Sequence, residues 1–224
     1  MNLFTLDNLF LLLTGLTAIY LLWRFWTRYS KTRQTYDIYY MMGFLVLLVS
    51  GLLLIFLGLG ILKSAYVLTV ASLIPLGISM GIAEQYFPQW KKPFKWFALI
   101  GFLAIAISAI GGMDLVKKIS VPLFHGVAGL VIFLGPFFAT SSPQGKKAPK
   151  GFFWVGIGGA LIGIGGLALA SLSFGAPLFG VFTEQLVGAI LTPLLFLMTL
   201  AFTWGFVKDI RAQQAAPAKS RKKK

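Results

Sequence analysis

The sequence predicts an all-helical, polytopic integral membrane protein: a bundle of seven transmembrane helices with the amino terminus outside and the carboxyl terminus in the cytoplasm. Three observations carry this expectation. The 224 residues are 58% hydrophobic and only 12% charged, with mean hydropathy +0.84, whereas soluble domains run about 45–50% apolar and about 25% charged. The apolar residues fall in seven continuous runs, each near the roughly 20 residues a helix needs to cross about 30 Å of hydrocarbon. The basic residues gather on one side of those runs.

The runs cover residues 9–26, 39–62, 65–84, 96–113, 121–140, 151–171 and 184–206. Continuous runs favour helices over a transmembrane barrel, whose strands alternate in segments of about 10 residues. The connections are short, so residues 1–211 read as one membrane domain and residues 212–224 as a basic, solvated tail. Arg24, Arg28, Lys31 and Arg33 fall at the first connection, Lys91, Lys92 and Lys95 at the third, and Lys146, Lys147 and Lys150 at the fifth. Lys208, Arg211, Lys219, Arg221, Lys222, Lys223 and Lys224 follow the last run. The other side holds only Lys63, Lys117 and Lys118, so the positive-inside rule sets the orientation. The net charge of +14 thus becomes a property of the cytoplasmic face. The tail can lie along an anionic inner leaflet, through Lys219, Arg221, Lys222, Lys223 and Lys224. No nucleic-acid partner is expected, although charge alone allows RNA contact.

The amino-terminal run follows no basic residue and ends in Trp and Arg rather than in a small-residue cleavage site, so no cleavable signal is expected. A prokaryotic plasma membrane is the expected location. Trp23, Trp26, Trp90, Trp96, Trp154 and Trp204 all fall on the cytoplasmic side. Such a belt anchors at headgroups, or forms a surface for a partner protein if its rings cluster.

Lipid tails are as apolar as leucine, so membrane helices associate where small residues let backbones approach. Gly156, Gly159, Gly163 and Gly166 recur at helical spacing on one face, and Gly77 and Gly81 form a second small pair. They pack helices within the chain, or against another subunit or a flat cofactor. Pro75 and Pro193 each remove a helical hydrogen bond and are expected to bend their spans.

The available chemistry is sparse. There is no cysteine and one histidine, which removes thiolate nucleophiles and disulfides. The six acids, Asp7, Asp37, Glu84, Asp114, Glu184 and Asp209, all read as span-end or connecting residues. Ionisable residues at mid-membrane mark proton relays and coupled transport, and their absence from the runs argues against both. Thr14, Thr17, Ser50, Ser72, Ser79, Ser108 and Thr192 remain as polar groups for a neutral path. His125 reads as a hydrogen-bonded interface histidine, with tetrapyrrole ligation as the alternative because Ala128 and Gly129 clear its face. Asp7, Asp114 or Glu184 can pair with it in an outer polar site. The apolar connection 172–183 offers Phe174, Phe179 and Phe182 as a lipid-interface cap or a ligand lid. No metal centre, resident cofactor or enzymatic activity is expected.

The final run has no lysine, unlike the retinal-binding span of microbial rhodopsins, and a single histidine cannot supply the zinc site of seven-helix hydrolases. Pro88-Gln89 and Pro143-Gln144 fall in connections, not in the first helix of a repeat as in the small sugar transporters. No family is assigned on these residues. The leading expectation is a non-catalytic membrane-embedded subunit, scaffold or assembly factor. A facilitative transporter of a neutral or lipidic solute and a pigment- or haem-binding protein are the alternatives.

Overall fold

A computed structural model describes residues 5–139, 148–173 and 183–215. Among the described residues all regular structure is helical: α1 Leu6–Thr32, α2 Thr35–Leu57, α3 Ala65–Ala71, α4 Leu73–Tyr86, α5 Lys91–Ile110, α6 Asp114–Phe138, α7 Phe153–Ser173 and α8 Glu184–Ala215. Six helical segments are long and apolar enough to cross a membrane, α3 and α4 together making one of them. A shorter apolar stretch over Lys150–Gly166, which joins a 3-10 turn at Lys150–Phe152 to most of α7, adds to these. The described residues are therefore helical, and the length and composition of these helices suggest a multi-pass membrane protein.

The first helix is capped by Thr5, whose hydroxyl accepts from the Asn8 backbone N–H at 3.2 Å, satisfying one of the orphan donors of a helix start. It ends six residues beyond the expected end at position 26, and Arg28 within the added turns is buried. Arg33 closes it at φ 53°, the left-handed conformation that ends helices, with its N–H on the Tyr29 carbonyl at 2.8 Å. Only Arg33 and Gln34 separate α1 from α2. This tight turn makes the two helices antiparallel neighbours.

The third span is interrupted at Ser72, between α3 and α4. Pro75 explains the position, since it has no N–H to offer the Ala71 carbonyl one turn earlier and its ring crowds that carbonyl. By contrast α8 runs unbroken through Pro193, and α6 through Pro122 and Pro136. With 32 residues, α8 is about 48 Å long at 1.5 Å per residue, well beyond the hydrocarbon thickness. Its last turns project past the expected end at residue 206.

Packing closes a ring. Helix α1 lies against α2, α2 against α4, α4 against α6, α6 against α7, α7 against α8, and α8 returns to α1; α5 packs outside the ring on α3, α4 and α6. The centre is filled by aromatic and branched side chains, among them Phe25, Tyr40, Phe44, Ile82, Phe202 and Phe206. Phe25 stacks on Tyr40 with ring centroids 4.9 Å apart and meets Phe206 edge-on at 5.1 Å, geometries that aromatic quadrupoles favour. This plug lies directly beneath the charged cluster described next.

Candidate functional site: a buried charge network

The buried positions of α1 are Leu11, Thr14, Ala18, Leu21, Phe25 and Arg28, alternating in steps of three and four along one stripe. The stripe that carries leucine and phenylalanine into the core therefore also carries a guanidinium. Asp37 continues the buried stripe of α2 through Tyr40, Phe44 and Leu47, and Asp209 follows Phe202 and Phe206 on α8. Arg28 is 1% exposed and both aspartates are fully enclosed. The three meet at the end of the bundle that bears the α1–α2 turn, the basic end.

Asp209 is the hub. Its Oδ2 accepts from Arg28 Nη1 at 2.8 Å and from Gln85 Nε2 at 2.8 Å, while Oδ1 accepts from Gln213 Nε2 at 2.9 Å and from the Tyr86 hydroxyl. Helices α1, α4 and α8 are thereby tied to one carboxylate. Arg28 Nε donates to Asp37 Oδ1 at 2.7 Å, adding α2. Tyr40 donates to Gln85 Oε1 at 2.8 Å and Tyr36 to Gln213 Oε1 at 3.3 Å, so the amides are held as well. The guanidinium also lies over the rings of Tyr36 at 5.0 Å and Phe25 at 5.5 Å, a cation–π arrangement strengthened by desolvation.

Burying such charges costs several kcal/mol per ion before pairing repays it. The saturation of Asp209 with four donors is the repayment that the geometry shows. Beside this cluster, Glu84 on α4 receives Lys91 and Lys95, each at 2.8 Å, in a half-exposed clamp between α4 and α5. Among the described residues no three His, Asp or Glu side chains converge as a metal site.

The sequence read Arg28, Asp37 and Asp209 as span-end or connecting residues and did not bring them together; α1 and α8 continue beyond the apolar runs, and these charges point into protein.

The expected site residues fall elsewhere. A Cβ at Gly159 would lie 2.6 Å from the Phe133 nitrogen, and one at Gly156 2.7 Å from the Phe133 carbonyl oxygen, so both glycines abut the α6 backbone. A Cβ at Gly77 would lie 2.9 Å from the Tyr39 carbonyl oxygen, and Gly81 faces the Tyr40 ring. At Gly163 the added carbon meets nothing within 4 Å, and at Gly166 it meets the His125 ring at 3.4 Å.

Asp7 and His125, expected to pair, are not brought together. Asp7 on α1 accepts from Thr192 on α8 at 2.5 Å, whereas His125 lies on α6, which packs on α4, α5 and α7. Asp114 is exposed and pairs with Lys117 at 2.7 Å. The side chain of Glu184 lies outside the described residues, as do Phe174, Phe179 and Phe182, the dipeptide Pro143-Gln144, and Lys219, Arg221, Lys222, Lys223 and Lys224. All six tryptophans are exposed, distributed over α1, α5, α7, α8 and the turn before α5.

Most hydroxyls are spent on their own helices. Ser79 donates to the Pro75 carbonyl at 2.6 Å, Ser72 to the Thr69 carbonyl at 2.7 Å and Thr14 to the Phe10 carbonyl at 2.8 Å. Such back-bonding satisfies the hydroxyl without a second helix.

Comparison with protein families, characterised proteins and solved structures returns no match.

Proposed function

We propose that the chain is a seven-span protein of a prokaryotic plasma membrane, oriented with its amino terminus outside, that acts by binding as a membrane-embedded subunit, scaffold or assembly factor. The observation that carries this reading is the filled ring centre. Phe25, Phe44, Phe202 and Phe206 occupy it, and of the hydroxyls that would line a polar path Ser72 and Ser79 bond to their own backbones. A facilitative transporter would turn those hydroxyls toward a shared cavity.

Two placements support contact with other membrane components. Gly163 has open space where a side chain would project, so the fold of this chain does not itself require glycine there. The tryptophans surround the bundle rather than cluster, which suits anchoring in the headgroups and leaves the apolar helix faces for partners. The alternative of a tetrapyrrole on His125 is read by one absorbance spectrum of the purified protein.

The test is native purification in a gentle detergent with identification of co-purifying proteins. A stoichiometric membrane partner is the expected result. Recovery of the chain alone, from membranes in which it is abundant, would overturn the reading.

A further inference from the structure

Two enclosed aspartates share one guanidinium, and their oxygens are used in opposite ways. Asp209 spreads four donors over both oxygens, the pattern of an ionised carboxylate, which only accepts. Asp37 uses one oxygen. Arg28 Nε donates to Oδ1 at 2.7 Å and Nη2 lies 2.6 Å from that same atom, while the enclosed Oδ2 has no hydrogen-bond partner.

A guanidinium facing an ionised carboxylate typically engages both oxygens in parallel. Convergence on one oxygen is what a neutral carboxylic acid offers, with one carbonyl acceptor and one hydroxyl. Charge balance leads to the same state. The groups facing the cluster are Arg28 from α1, Tyr36 and Tyr40 from α2, Gln85 and Tyr86 from α4, and Asp209 and Gln213 from α8. Glu84 is turned to Lys91 and Lys95 instead. With Arg28 charged and Asp209 ionised, the cluster is neutral when Asp37 holds a proton.

We propose that Asp37 is a proton-binding site, with the proton on Oδ2. Loss of that proton leaves an uncompensated carboxylate in the interior, which is far more costly than a neutral hydroxyl. Proton release therefore requires water or a cation to reach Asp37, which means parting the α1–α2 turn from α8. Buried acids of this kind are the components of proton relays in membrane proteins. The site is independent of whether the protein binds a partner.

The experiment is infrared spectroscopy of the purified full-length protein at neutral pH, in water and in heavy water. The wild type is expected to show a protonated-carboxyl C=O stretch that shifts on deuteration, is absent in Asp37→Asn and remains in Asp114→Asn, whose carboxyl lies outside the cluster. Absence of the stretch in the wild type, or its persistence in Asp37→Asn, overturns the proposal. So does its disappearance on adding sodium or potassium, which would assign the site to a metal cation. If Asp37→Asn does not accumulate, isotopically labelled aspartate in wild type and in Asp37→Glu reads the same question: a labelled stretch in the wild type that is lost in Asp37→Glu supports the site. No labelled stretch in the wild type, or its persistence in Asp37→Glu, overturns it.

Discussion

Arg28 and Asp209 are 181 positions apart in the chain, yet Nη1 of one donates to Oδ2 of the other at 2.8 Å in a fully enclosed setting. The contact joins the first helix to the last and so closes the ring. Because Asp209 also holds Gln85 and Tyr86 of α4, one carboxylate fixes the relative position of three helices. Removing Arg28 strands the Asp209 carboxylate, and removing Asp209 leaves the guanidinium to Asp37 alone and takes the acceptor from Gln85 and Tyr86, so the asymmetry between truncating and replacing the pair is directly measurable.

Asp209→Ala is expected to lower stability by about 3–5 kcal/mol, the usual cost of leaving one half of a buried pair. The double variant Arg28→Met with Asp209→Leu is expected to lose less than Asp209→Ala alone, because no unpaired charge remains. Reversible unfolding in mixed micelles measures both. Equal losses in the two variants would show that packing around Asp209, not its charge, holds the ring.

The Glu84 clamp should behave differently. Its lysines are 43% and 34% exposed, so water and salt screen the pair. Glu84→Gln is expected to cost about 0.5–1 kcal/mol at low ionic strength, with the difference shrinking as salt is raised. The Asp209→Ala penalty is expected to stay constant over the same salt series. A Glu84→Gln cost that does not respond to salt would place the clamp in a drier environment than its exposure implies.

Hydropathy made the apolar spans legible, because each is long enough to be read without knowledge of its neighbours. The charge network was hidden by that same criterion, since a run ends where charged residues begin to gather, whichever way they point. The overlooked signal was periodicity: Leu21, Phe25 and Arg28 lie on one stripe, as do Phe202, Phe206, Asp209 and Gln213. A charge in register with the buried face belongs to the interior. Pairing of Arg28 with Asp209 in addition to the nearby Asp37 follows from ring closure, which no local pattern contains. The separation of Asp7 from His125 has the same cause.

Glycine spacing raised one face of α7 as a packing surface, and the structure divides it. Gly159→Ala drives a methyl group into the Phe133 backbone, and α6 and α7 must part, at a cost of about 1–3 kcal/mol. Gly163→Ala meets open space and is expected to be neutral or to gain several tenths of a kcal/mol from helix propensity. Gly163→Leu is then a test of partner contact: it should leave protomer stability unchanged while altering the oligomeric or complexed state seen by native sizing. Loss of protomer stability in Gly163→Leu would mean that the face is filled within the chain.

Tyr86→Phe isolates one donor of the hub without changing charge or shape. The phenol donates to Asp209 Oδ1, and hydrogen bonds to charged groups contribute about 1.5–3 kcal/mol, so a loss in that range is expected by micellar unfolding. Tyr20→Phe is the control. Its hydroxyl accepts from Arg24 at 3.3 Å, with the pair only partly buried, and a change within about 0.5 kcal/mol is expected there. The comparison separates the two environments because both substitutions delete a single hydroxyl from an arginine- or aspartate-linked tyrosine. Equal, small effects at both positions would show that Asp209 keeps its ionised state on the remaining three donors without help from the phenol.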